Sequence, residues 1–274
     1  MSDRILRAAR ETLADRDGVS RWNLGRVTVG DRAILVELAA RSDSQSRVAG
    51  IAHRPRATAS DVAADTVSNL LEPIDASGPS EDDGRPDAGD RLPLAAAVGT
   101  LNALSAPFLA WPSGDPMALL SPSVRRITTV GLFEPALRKF EDCEVRVIER
   151  EPRTVDPPEG VSVRMFSPDR AEHAMDGAEI VFITGSTLLY GGLERYLDFA
   201  PTEATVVIVG ATVSFIPDPL FDSGVDVVAG ASVSDPTRAR NAIVDGACGT
   251  DLHTNGVEKR YTTAGGTGGT LRGS

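Results

Sequence analysis

The sequence predicts an α/β protein, with a Rossmann-like parallel sheet preceded by a smaller α+β unit. Three observations carry that expectation. First, five short β-branched runs follow one another after residue 120: RITTVG, EVRVIE, AEIVFITG, ATVVIVG and VDVVAG. Segments of helical or turn character separate them. Strands that are apolar on both faces and alternate with helices make a parallel sheet covered on both sides, and right-handed crossovers wind it in the Rossmann manner. Second, RVTVGDRAILVEL alternates apolar and polar residues around a Gly-Asp pair, the pattern of an antiparallel hairpin. Third, LPLAAAVGTLNALSAP is small and apolar almost throughout, which reads as a buried helix.

Ile5, Ala9 and Leu13 fall at helical spacing ahead of Asp17-Gly18. Val27 and Val29 then lead into Gly30-Asp31 as a two-residue turn, and Ile34, Val36 and Leu38 alternate on the return strand. Ser46 to Ala52 adds a third strand. Ser60 to Leu71 reads as a helix with Val62, Ala63, Val67, Leu70 and Leu71 on its apolar side. Asp75 to Asp90 is Asp, Ser, Gly and Pro with almost nothing apolar, a solvated loop. In the buried helix that follows, Asn102 is the polar residue in the middle. Without hydrogen-bond partners it would cost about 1–3 kcal/mol, so it either ties down a neighbouring loop or faces a site. The last helix is capped by Asp235, carries Pro236 in its first turn and ends at Gly246. TTAGGTGGTLRGS reads as a flexible tail. The expected organisation is an α+β domain over 1–120, a Rossmann-like domain over 121–262 and a tail over 263–274.

The chain of 274 residues carries a formal net charge of −11, and only two of its 28 basic residues, Lys139 and Lys259, are lysine. Nucleic-acid binding needs clustered basic residues, so an acidic balance argues against that partner. No run approaches the roughly 20 apolar residues that span a bilayer. The N-terminal MSDRILRAARETLADRDG mixes both charges and does not resemble a signal peptide, so a cytoplasmic protein is expected. An Asp-rich, Arg-rich surface suits the salt-rich cytoplasm of a halophile, and a high-GC genome also favours arginine over lysine. Cys143 and Cys248 stand 105 positions apart with no CxxC pairing, so neither a zinc framework nor a disulfide scaffold is signalled.

Ligands of an open parallel sheet bind outside the carboxyl ends of its strands, so those exits matter most. The first, VGLFEPAL, offers only Gly131 where a dinucleotide site would want GxGxxG. Glu149 lies eighteen residues on, about where an acidic residue would take a ribose hydroxyl pair; the alternative is a tight turn and a surface charge. The third exit is Thr184-Gly185-Ser186-Thr187. Free amides, two hydroxyls and a helix dipole would suit an anionic group there, although Ser and Thr are also ordinary caps. The fourth exit, VGATVSFIPDPLFDSG, has Gly210 for close approach and Pro217 and Pro219 to stiffen a pocket wall. Asp218 and Asp222 are candidate cation ligands or caps. Cys248, Asp251 and His253 form a CxxDxH string of soft and borderline donors. His53 and His173 stand alone. No Ser-His-Asp order, HExxH, P-loop or GxSxG is present.

VFITGSTLLYGGLERYL, VIVGATVSFIPDPLFDSGVDVVAGASVSDPTRA and VIEREP closely resemble the DUF364 family, whose label is heavy-metal chelation. AAAVGTLNALSAP resembles the segment closing its usual N-terminal partner, a DUF4213 domain with an enolase-N-terminal-like fold. The first match covers Ile127 to about Gly246. The resemblance implies a Rossmann-like domain packed on an enolase-N-like one, a cleft between them, and metal handling. The family usually reads Asn-Gly-Thr after TGxTL, where this chain has Tyr190-Gly191-Gly192. It favours Gly-Pro-Ser or similar where this chain has Gly210-Ala211-Thr212. Ligand contacts at these positions are therefore expected to differ.

These readings converge on a binding protein for a small anionic, cofactor-like or metal-containing ligand, in a cleft between the LNAL helix and the strand exits. The expected contacts are Asn102, Gly131, Glu149, Thr184, Gly185, Ser186, Thr187, Gly210 and Thr212. Asp218, Cys248 and His253 are the candidates for a divalent transition metal. No residue reads as a catalytic nucleophile or base. Two rivals remain at this stage: a nucleotide- or adenosyl-dependent transferase using Gly131 and Glu149, and a non-catalytic subunit whose function is a homo-oligomer interface. The halophile reading predicts a melting temperature that rises with potassium chloride concentration, because screening relieves repulsion from the net charge. A flat or falling melting temperature across a salt series would remove it.

Overall fold

The protein is described here by a computed structural model covering residues 2–56, 61–76, 91–151 and 153–265. The amphipathic spacing at the N-terminus forms α1 (Ser2–Asp15), with Ile5, Leu6, Ala9 and Leu13 buried. The alternating segment forms β1 (Trp22–Val29) and β2 (Ala33–Ala40), and β3 (Arg47–His53) completes an antiparallel sheet in the order β1-β2-β3. The turn lies one residue later than the sequence suggests. Val29 pairs with Ile34, and the Gly30 N–H donates to the Ala33 carbonyl at 2.9 Å, leaving Asp31-Arg32 as the turn. Gly30 is needed for packing, since a Cβ there would lie 2.3 Å from the Ile243 carbonyl oxygen.

The next helix, α2 (Val67–Ala76), begins later than its apolar pattern does, because Thr66 caps it: Thr66 Oγ1 accepts from the Asn69 N–H at 3.1 Å. Ser60 and the acidic stretch 77–90 lie outside the described residues. The small apolar run forms α3 (Arg91–Ser105), buried along nearly its whole length against α2, β2 and β3. Gly50 allows this contact, as a Cβ on it would sit 2.3 Å from both the Ala103 nitrogen and the Gly99 carbonyl oxygen of α3.

The second half runs β4 (Arg126–Val130), α4 (Glu134–Leu137), β5 (Glu144–Ile148), β6 (Ser162–Phe166), α5 (Ala171–Met175), β7 (Ile180–Thr184), α6 (Thr187–Tyr190), α7 (Leu193–Phe199), β8 (Thr205–Val209), α8 (Asp218–Phe221), β9 (Val227–Val233), α9 (Pro236–Val244) and β10 (Val257–Thr263). The seven strands form one sheet in the order β10-β9-β8-β7-β4-β5-β6, parallel except for β10, which runs antiparallel to β9. This is the doubly wound order, with its switch point between β4 and β7. Five of these strands are the five apolar runs; β6 and β10 are additional. Both are edge strands, only partly buried. β10 takes in Thr263, the first residue of the expected tail, and 266–274 lie outside the described residues.

Three polar ties hold the antiparallel layer to the parallel sheet. Glu37 of β2, only 3% exposed, accepts two hydrogen bonds from the Arg240 guanidinium of α9 at 2.8 and 2.7 Å. Removing one partner of such a pair strands a buried charge and costs about 3–5 kcal/mol. Asn102 of α3 donates to the Ala211 and Thr212 carbonyls beyond β8 at 3.0 and 3.2 Å. Asp115, in the connection between the two sheets, receives both lysines of the chain, Lys139 at 2.5 Å and Lys259 at 2.7 Å. Burial pushes its carboxyl up, but the two ammonium groups and the Met117 amide outweigh that and hold it at about 2.

Candidate functional site

At the switch point the β4 and β7 exits touch. Gly131 has φ +90°, and a Cβ on it would lie 3.2 Å from Thr184 Cγ2. Glu149 closes β5 and turns its carboxylate back on the neighbouring loop. Its Oε2 accepts the Leu132 N–H at 3.1 Å and its Oε1 the Arg150 N–H at 3.0 Å. That arrangement gives Glu149 a turn-holding role, different from the ribose contact its spacing suggests.

The Thr184-Gly185-Ser186-Thr187 turn is also more committed than the sequence implies. The Gly185 N–H donates to the Val209 carbonyl at 2.8 Å. Thr187 Oγ1 donates to the Thr184 carbonyl at 2.7 Å, and α6 is only four residues long. A Cβ on Gly185 would meet Val213 Cγ1 at 2.7 Å, so this glycine seats the 3-10 turn Ala211–Val213. The part left facing outward is the hydroxyl pair of Thr184 and Ser186, 3.1 Å apart and half-buried.

Gly210, at φ +130°, opens that 3-10 turn, and Thr212 is buried within it. Thr212 Oγ1 accepts the His53 N–H at 3.0 Å, while the Asn102 Nδ2 reaches the Ile51 carbonyl at 2.7 Å as well as those of Ala211 and Thr212. Asn102 and Thr212 therefore join the end of β3 to the β8 exit.

This junction gathers residues that the sequence did not single out together. His53 Nε2 lies 3.3 Å from the Tyr190 hydroxyl, with the two rings 5.9 Å apart. The Tyr190 ring carries the Arg150 guanidinium at 4.3 Å and that of Arg91 at 4.9 Å. Burial lowers the His53 pKa first, and the positive charges of Arg32 and Arg150 lower it further. Burial, with this positive field added to it, therefore favours the neutral imidazole. Tyr190 is the position where the chain departs from the family pattern, which was the one signal pointing to it. His53, 137 positions away, is brought to it only by the packing of β3 on the parallel sheet.

The metal candidates do not converge. Asp218 is exposed at the first residue of α8. Cys248 precedes the 3-10 turn Gly249–Thr254, and His253 Nδ1 faces the Val257 carbonyl oxygen at 3.4 Å. Among the described residues no group of three or more His, Cys, Asp and Glu side chains is placed to share a cation. The CxxDxH string is therefore not drawn together as a ligand set, and the donors among the described residues do not fit a resident heavy-metal centre.

The fold is that of an open, doubly wound α/β protein with its candidate site at the carboxyl edge. Residues 117–262 match the family described as "DUF364: Putative heavy-metal chelation", and the chain belongs to the DUF364 family. The family match does not extend to the segment resembling DUF4213. A DUF364 protein of unknown function from Pyrococcus horikoshii superposes with a TM-score of 0.72 at 19% identity, covering 96% of this chain and 99% of that one. Another, from Desulfitobacterium hafniense, gives a TM-score of 0.66 at 16% identity, covering 94% and 99%. No curated protein matches the chain.

The packing around Gly185 makes a direct prediction. Gly185→Ala should destabilise the protein by about 1–3 kcal/mol, because the added methyl must displace Val213. Chemical denaturation will read this. Unchanged stability would mean that the Ala211–Val213 turn yields freely and is not seated by Gly185.

Proposed function

We propose that this DUF364 protein binds a small anionic ligand at the switch point, held by the Arg150 guanidinium, the Tyr190 hydroxyl and His53, with Thr184 and Ser186 as hydroxyl donors. The observation that carries this reading is the Tyr190 ring with Arg150 and Arg91 stacked on it and His53 on its hydroxyl. The Arg150 guanidinium lies over the ring at 4.3 Å beside the Tyr190 hydroxyl and the His53 imidazole, so an anion there would meet one charged donor and two polar groups. Arginine suits the role because its planar donors can grip a carboxylate or phosphate while one face rests on the aromatic ring. In a chain with net charge −11, such a cluster is a local reversal of the overall field.

The family label is consistent with this if the metal arrives as cargo inside an anionic ligand that supplies its own donors. The division into a 1–120 domain and a Rossmann-like 121–262 domain is part of the same proposal, since the cluster takes His53 and Arg91 from one and Arg150 and Tyr190 from the other. The transferase alternative is weakened by the inward turn of Glu149 and the lack of a glycine-rich loop.

Sulfate is the probe of choice, because its charge is constant over the range in which His53 titrates. The folded protein depresses the His53 pKa, so the imidazole is neutral near pH 7 and resists protonation as pH falls below the usual 6.5. A bound anion favours the protonated ring. Sulfate affinity measured by calorimetry at fixed ionic strength should therefore rise roughly 3–10-fold from pH 7.5 to 5.5. His53→Gln should flatten that rise, and Arg150→Gln should weaken binding by about tenfold, the worth of one charge-assisted contact. Sulfate binding that is unaffected by both substitutions would place the anion elsewhere and remove the reading.

A further inference from the structure

A separate cavity of about 330 Å³ lies further back along β3, on the other side of the Ala211–Val213 turn. Its walls come from Gly50 of β3, Asn102 of α3, Trp111 of the connecting segment, Ser232 of β9 and Arg260 of β10. Much of the remaining lining is alanine: Ala49, Ala106, Ala110 and Ala231 leave the space that larger side chains would fill.

Two polar groups define its ends. Asn102 is 2% exposed, and its Nδ2 faces the three carbonyls of Ile51, Ala211 and Thr212. Three acceptors on one side fix the orientation of the amide. Its Oδ1 is buried and has no hydrogen-bond partner, so it is the polar atom that Asn102 has left to offer the cavity it lines. A buried acceptor left unsatisfied is costly, and a donor from a ligand would satisfy it. At the other end, Arg260 donates through Nε to Ser232 Oγ at 3.1 Å, through Nη1 to the Trp111 carbonyl at 3.3 Å and through Nη2 to Glu258 at 2.6 Å. A guanidinium has five N–H donors, so two remain after these bonds. Trp111, buried to 9% exposure, supplies a flat apolar wall between the ends.

We propose that this cavity is a second ligand site, for a small flat molecule with an N–H donor at one end and a carboxylate at the other. The donor would bond Asn102 Oδ1, the ring would lie along Trp111, and the carboxylate would meet Arg260 and the Ser232 hydroxyl. This site shares no side chain with the Arg150–Tyr190–His53 cluster and stands whether or not that cluster binds anions.

The three isomers of aminobenzoate test it, since they differ only in the separation of donor and carboxylate. Benzoate lacks the donor and aniline lacks the anion. Titrated into the full chain and followed by calorimetry, at least one isomer should bind about tenfold more tightly than either control, one hydrogen bond to a buried acceptor being worth about that factor. Ala110 is exposed at the cavity mouth, so Ala110→Trp should block entry while leaving the thermal melt unchanged. Arg260→Gln should remove the preference of that isomer over aniline without altering aniline binding. The proposal is overturned if no isomer binds better than the controls, if folded Ala110→Trp binds them as the parent does, or if Arg150→Gln removes their binding.

Discussion

The carboxyl edge of the parallel sheet has its shape because one side-chain amide crosses to it from the other layer. The Asn102 Nδ2 reaches carbonyls at both the end of β3 and the turn beyond β8. It thereby fixes how far β3 and α3 overhang the strand exits. The buried Glu37–Arg240 pair fastens the same layer at α9, and Asp115 with its two lysines fastens the connection beneath it. His53 depends on this placement. Its backbone donates to Thr212, in the turn that Asn102 holds, and its ring then meets Tyr190.

The electrostatics of the edge run against those of the molecule as a whole. The surface is acidic, yet the strand exits collect Arg32, Arg91 and Arg150 around one histidine and one tyrosine. Arginine tolerates this better than lysine would, because its charge is spread over a weakly hydrated plane that stacks on the Tyr190 ring. The depressed proton affinity of His53 reflects its burial first and that field second. Burial alone would lower it, and Arg32 and Arg150 add to the effect.

The fold was legible in the sequence wherever burial was two-sided. The five central strands read as short β-branched runs, and α3 as a run of small residues. The two edge strands were not legible, because they are only partly buried and charged residues break up their apolar pattern, Arg164 in SVRMF and Glu258, Lys259 and Arg260 in VEKRYTT. Of the site, the strand exits were legible but their chemistry was not. Gly185 read as an opening for a ligand, whereas its missing side chain makes room for Val213. Asn102 was recognisable as a polar residue needing partners, and it found them across the two layers. His53 looked solitary because its partner is 137 positions away, and only the packing of two sheets brings the rings together. The CxxDxH string shows the opposite failure: neighbours in sequence that no fold requirement brings to a common point.

The central claim is that the Tyr190 junction is an anion site, and locating an anion there tests it most directly. Selenate matches sulfate in shape and charge and is visible by anomalous scattering. In crystals of the protein soaked with selenate, the account predicts an anomalous peak within hydrogen-bond distance of both the Arg150 guanidinium and the Tyr190 hydroxyl. That peak should be lost in Arg150→Gln crystals. Selenate peaks confined to other arginines, with none at this junction, would contradict it.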